Sequence, residues 1–134
     1  MTYALTVPGA PVAKGRPRFT RRGHTYTPLA TRQAEWEIRA AWVAKYPDMA
    51  PLLGPLCLEA IFHMPQPKSV PKSRRLTAQP TTRPDVENIC KVILDSLNKV
   101  AFRDDAQVVE VHLKKRYAID SPVRTEIKLV EVVP

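Results

Sequence analysis

Between residues 85 and 131 the hydrophobic period changes once, and that change restricts the fold more than any other feature of this 134-residue chain. Val86, Ile89, Cys90, Ile93, Leu97 and Val100 recur at helical spacing, with Asn88, Lys91, Asp95 and Asn98 on the opposite stripe. Asp85, directly after Pro84, is the expected N-cap of that helix. After a turn at "AFRDDAQ" the period falls to two. In "VVEVHLKKRY", Val109, Val111 and Leu113 share one face, and Glu110, His112, Lys114 and Arg116 the other. "VRTEIKLVEV" alternates in the same way, so the two strands are expected to pair as an antiparallel hairpin across the "AIDSP" turn.

The amino-terminal half supplies the remaining elements. "YALTV" reads as a strand, "TRRGHTYT" as a hairpin tip turning at Gly23, and "LCLEAIFHM" as a sheet strand over residues 56–64. From about Pro28 to Tyr46, Ala30, Ala34, Ile38, Ala41 and Trp42 form one helical stripe, which Pro47 stops. The whole reads as one α+β domain over residues 1–134, a mixed β-sheet with two helices, long enough to bury roughly two thirds of its unfolded surface. No segment reaches the ~20 apolar residues of a membrane span, and the apolar start lacks the basic region of a signal peptide, so a cytoplasmic protein is expected. Cys57 and Cys90 have no neighbouring Cys or His at metal spacing and are expected to be buried free thiols.

Charge is segregated along the chain, which carries +8 overall. No acid precedes Glu35, while Lys14, Arg16, Arg18, Arg21 and Arg22 crowd together. A second acid-free span from Ala60 to Pro84 holds Lys68, Lys72, Arg74, Arg75 and Arg83. Its proline-rich part, residues 65–83, has too few large apolar side chains to order itself and is expected to be a mobile basic loop that closes on a phosphate backbone. Positive charge arranged in this way suits a nucleic acid, whose condensed counterions are released on binding.

Against that background, five of the thirteen carboxylates fall in one window: Asp85, Glu87, Asp95, Asp104 and Asp105. Taken singly, each has an ordinary reading. Asp85 caps a helix, Glu87 pairs with Lys91, Asp95 pairs with Lys99, and Asp104 and Asp105 form a turn. Taken together, Asp85 and Glu87 can converge if Asp85 has extended dihedrals, and Asp104 and Asp105 join them if the turn returns to the same sheet edge. Such a cluster of hard oxygens suits Mg²⁺, with Lys91 one turn on to neutralise charge on a phosphate. His24, His63 and His112 have no nucleophile and carboxylate at readable spacing, which argues against a serine or cysteine hydrolase.

The motif "RPDVENICKVILDSLNKVAFRDDAQVVEVHLKKRY", together with "VPGAPVAKGRPRF", resembles the RusA-type Holliday junction resolvases. The resemblance implies a homodimeric endodeoxyribonuclease that nicks four-way DNA junctions, dependent on Mg²⁺ with Mn²⁺ able to stand in for it, and using no organic cofactor or membrane. It places Asp85, Glu87 and Asp105 on the family's metal-binding acids, Asp104 beside them, and Lys91 on its catalytic lysine. The family usually carries Asp where this chain has Glu87. Lys14, Arg16 and Arg18 become candidates for DNA contacts through the resemblance, and Lys72, Arg74 and Arg75 through the charge of the loop. A non-catalytic junction-binding module, its metal site decayed at Glu87, is the alternative.

Overall fold

The computed structural model describes residues 1–133. Its strands are β1 (Thr2–Pro8), the short β2 (Arg18–Phe19) and β3 (Thr25–Tyr26), β4 (Leu56–Pro65), β5 (Val108–Ala118) and β6 (Arg124–Glu131). Its helices are α1 (Leu29–Lys45) and α2 (Val86–Leu97). Helices and a mixed sheet make the α+β domain that the periodicities imply. β2 and β3 form the small hairpin expected around Gly23, which has a positive φ of 79° and donates its N–H to Thr20 O at 3.0 Å.

The main sheet has the order β1-β6-β4-β5, and this overturns the expected β5–β6 hairpin. β5 runs parallel to β4, and β6 runs antiparallel to β4 on its other side. The reason lies in α2. A strand, a helix and a second strand in succession form a crossover unit, which sets β5 beside β4. β4, buried at six of its ten positions and exposed at only one, needs a partner on each edge, and β6 takes the one left open. β6 also pairs with β1, from Thr2 opposite Val130 to Pro8 opposite Arg124.

Both helices lie on one face of the sheet. Leu5, Leu58, Phe62, Ile127 and Leu129 point toward them and are buried; the opposite face, with Thr6, Lys114 and Lys128, is exposed. α1 buries Ile38 and Trp42, two positions of its expected stripe, while Ala30 remains exposed. α2 buries more than its expected stripe, because Val92 and Ser96 are enclosed as well. α1 packs along that side, and Arg39 Nε donates to Ser96 O at 3.2 Å. At the sheet edge the alternation of β5 is only half realised. Val109 and Val111 share no buried face there, being 64% and 43% exposed.

Two irregular segments complete the surface. Residues 9–17 are held against the helices: Lys14 N donates to Asn88 O at 2.9 Å and Gly15 N to Thr31 Oγ1 at 3.0 Å. A side chain at Gly15 would sit 2.9 Å from both Pro28 Cγ and Thr31 Oγ1, so only glycine permits this approach. The basic loop contains a 3-10 turn at Lys72–Arg74 and is tied to the β5–β6 connection by Arg75 Nη2 and Asp120 Oδ1, 2.7 Å apart. Cys57 and Cys90 are both free and buried.

Candidate active site

The start of α2 is built so that its carboxylates stay free. Asp85 occupies the N-cap with extended dihedrals, φ −71° and ψ 145°, yet its side chain makes no capping hydrogen bond. Glu87, in the first turn, is exposed and forms no ion pair with Lys91 among the described residues. The ordinary roles available to these two acids are therefore not taken up. Lys91 is also exposed, one turn further along the same helix. The helix start favours these two anionic groups through its dipole, and neither has a local cationic partner, so both oxygen sets remain available to an external cation that several carboxylates together can hold against the dipole.

Asp104 and Asp105 lie where the turn after α2 enters β5. Asp104 caps a 3-10 turn at Asp105–Gln107, accepting from Ala106 N at 3.3 Å while its own N–H donates to Gln107 Oε1 at 2.9 Å. Gln107 Nε2 fastens the turn to Leu52 O and Gly54 O at 2.9 and 3.0 Å. A hydrogen bond shared with Asp104, then partial burial, then the charges of Asp104 and Asp95 raise the Asp105 carboxyl above the ordinary aspartate range. Asp104→Asn is expected to lower the Asp105 titration in metal-free protein, as read by carboxyl-carbon NMR. An unmoved Asp105 would show that the neighbour is not the cause.

Within one chain the acids thus form two groups, Asp85 with Glu87 and Asp104 with Asp105. Their oxygens do not gather within 4.8 Å as a set among the described residues. Hard carboxylate oxygens without nitrogen or sulfur match Mg²⁺ in ligand type, which keeps several waters and tolerates few protein ligands.

Asp95 has a partner that its position in the helix does not suggest. Instead of pairing with Lys99, it takes Lys14 Nζ at 2.7 Å, and the same ammonium meets Glu35 at 2.9 Å. Burial works against this charged group, but the hydrogen bonds to Asp95 and Glu35 outweigh it and raise the lysine above its ordinary value. Lys14 consequently links α1, α2 and the amino-terminal segment, while Arg16 and Arg18 beyond it are exposed. No local spacing announces this three-way link, since its members lie 21 and 81 residues from Lys14. Lys72, Arg74 and Arg75 are all exposed on the loop, Arg75 being the one joined to Asp120.

A family model described as "Endodeoxyribonuclease RusA" matches residues 8–130. This chain belongs to the RusA endodeoxyribonuclease family. The RusA match takes in the amino-terminal segment, both helices and the whole of β4 and β5, so it covers every candidate residue named above. The chain is also similar to the uncharacterized protein YqaN of Bacillus subtilis (strain 168), with 33% identity over 138 residues, spanning 96% of this chain and 95% of YqaN. No helix among the described residues is long and apolar enough to cross a membrane.

Proposed function

We propose that this RusA-family chain is a Mg²⁺-dependent endonuclease that resolves four-way DNA junctions by paired symmetric nicks. The observation that carries the reading is the uncommitted pair at the head of α2: Asp85 does not cap and Glu87 does not pair, in a strongly basic chain of a nuclease family. Asp85, Glu87, Asp104 and Asp105 are the residues that would hold the metal, the two groups drawing together around it and waters completing its shell. Held there, the metal would supply activation of a water for attack on the scissile phosphate and stabilisation of the leaving oxygen. Lys91 brings its ammonium to the charge that grows on the phosphoryl oxygens, an interaction stronger in the transition state than in the bound substrate.

The remaining residues position the DNA. Arg16 and Arg18 extend from the segment anchored by Lys14 and Gly15, and Lys72 and Arg74 stand on the basic loop, so both segments offer cations to phosphates. A homodimer matches the near two-fold symmetry of a four-way junction and presents one site to each opposed strand. Contacts of this kind read branched shape and phosphate position rather than base edges.

The decisive experiment is incubation of purified protein with a synthetic immobile four-way junction, with Mg²⁺ and with chelator, analysed on a strand-resolving gel. Symmetric nicks that require Mg²⁺ are expected. Tight binding without nicks, under Mg²⁺ and Mn²⁺ alike, would identify a binding module in which Glu87 has cost the chain its metal. Linear and flap substrates in parallel exclude a nuclease without junction preference. For the loop, Lys72→Ala combined with Arg74→Ala is expected to weaken junction binding and flatten its salt dependence, by about one unit of log-log slope per lost phosphate contact. An unchanged slope would make the loop a connector.

A further inference from the structure

The sheet face away from the helices carries a second constellation, and one irregularity in the sheet creates it. Leu56 stands opposite Val108, but Cys57 stands opposite Glu110, so β5 holds one extra residue, Val109, at this step. An inserted residue of this kind resets which face the following side chains occupy. Without it, Glu110 and His112 would fall beside Leu58 and Ala60, on the side covered by helices. With it, both project from the open face next to Cys57.

The result is a thiol sulfur, a carboxylate oxygen and an imidazole nitrogen all within 4.8 Å of one another. Glu110 Oε1 and His112 Nε2 are already 2.7 Å apart. Glu59, opposite His112 in the register, adds a further negative charge near the sulfur. Burial first, then the charges of Glu110 and Glu59, push the Cys57 thiol up. Beside the cluster, a groove of about 390 Å³ opens along the sheet, lined in part by Glu59, Ile61, His112 and Lys114.

Donor chemistry separates this cluster from the carboxylates of α2. Sulfur and imidazole nitrogen with one carboxylate suit a borderline-soft divalent ion, and Mg²⁺ does not take such a set. Ligand atoms around tetrahedral Zn²⁺ stand roughly 3.5 Å apart, so the 2.7 Å contact between Glu110 and His112 opens slightly as the three side chains rotate around the ion. We propose that Cys57, Glu110 and His112 bind one Zn²⁺ per chain on the helix-free face of the sheet, with a fourth coordination position open to the groove. Binding releases the thiol proton to solvent, and Glu110 exchanges its contact with His112 for the metal.

The test uses full-length, metal-free protein titrated with Zn²⁺ against a chromophoric chelator, and with Co²⁺ as a spectroscopic probe. One equivalent of Zn²⁺ per chain and a thiolate-to-Co²⁺ charge-transfer band are expected. Cys57→Ser should remove the band, while Cys90→Ser and Asp85→Asn leave both band and stoichiometry intact. Glu110→Gln and His112→Ala alter exposed side chains and so preserve the fold. Each should weaken Zn²⁺ binding by more than about 100-fold, beyond the 10–100-fold that outer-shell changes cost. Absence of stoichiometric binding by the unaltered protein, unchanged affinity in either exposed variant, or a band that follows Cys90 instead of Cys57 would overturn the proposal.

Discussion

Asp85→Asn and Asp105→Asn, each made singly, are expected to bind a four-way junction as tightly as the unaltered protein and to cut it at least about three orders of magnitude more slowly. That factor corresponds to several kcal/mol of transition-state stabilisation supplied through the metal. On the proposed reading binding rests on Arg16, Arg18 and the basic loop, and removing a negative charge beside DNA does not weaken it. Asparagine keeps the shape of the side chain and still allows an N-cap at position 85, so loss of cleavage cannot be assigned to unfolding. Single-turnover cleavage and gel-shift titration, run on the same preparations, check both halves. Cutting retained by both variants would remove these residues from the site.

The largest expected effect on stability comes from Trp42→Ala, at about 3–5 kcal/mol. Trp42 is 1% exposed and stands where α1 meets β1. Its ring centroid lies 4.6 Å from that of Tyr46 and 6.1 Å from that of Tyr3. Tyr46 in turn grips the edge strand, its hydroxyl accepting from Ala4 N at 2.9 Å and donating to Ala4 O at 3.1 Å. Emptying the position leaves a cavity that these neighbours cannot close without giving up that grip. Since small domains are commonly stable by only about 5–15 kcal/mol, the variant should lose a large share of its stability. In urea the midpoint should fall with an unchanged slope, whereas Trp36→Ala, at a side chain 66% exposed, should move it little. Equal shifts would mean that Trp42 is not the centre of this contact.

The burial of Trp42 was legible in the sequence, because it falls on the apolar stripe of α1. The same reasoning located α2, the N-cap position at Asp85 and the turn at Gly23, all of which depend on neighbours within a few residues. Strand order did not follow from local pattern. Alternation in β5 and β6 identifies two strands but not which edges they meet, and the need of β4 for two partners decided that. At the candidate site, the freedom of Asp85 and Glu87 became visible only once their local partners were seen to be unused. The bond between Lys14 and Asp95 joins residues 81 apart and left no periodic trace. The extra residue in β5 was equally hidden, since a single inserted position inside an alternating run looks like uninterrupted alternation until a partner strand is laid beside it.

The strand order also has a consequence for the time at which the protein becomes a protein. Among the described residues β1 hydrogen-bonds in the main sheet only to β6, which is synthesised more than a hundred residues later. At a synthesis rate of about 5–20 residues per second, the wait between them is on the order of ten seconds. During that interval β4 can acquire β5 through α2, but its other edge remains bare and the amino-terminal strand has nothing to join. Leu5 and Val7 therefore stay without their sheet partner until β6 has been synthesised.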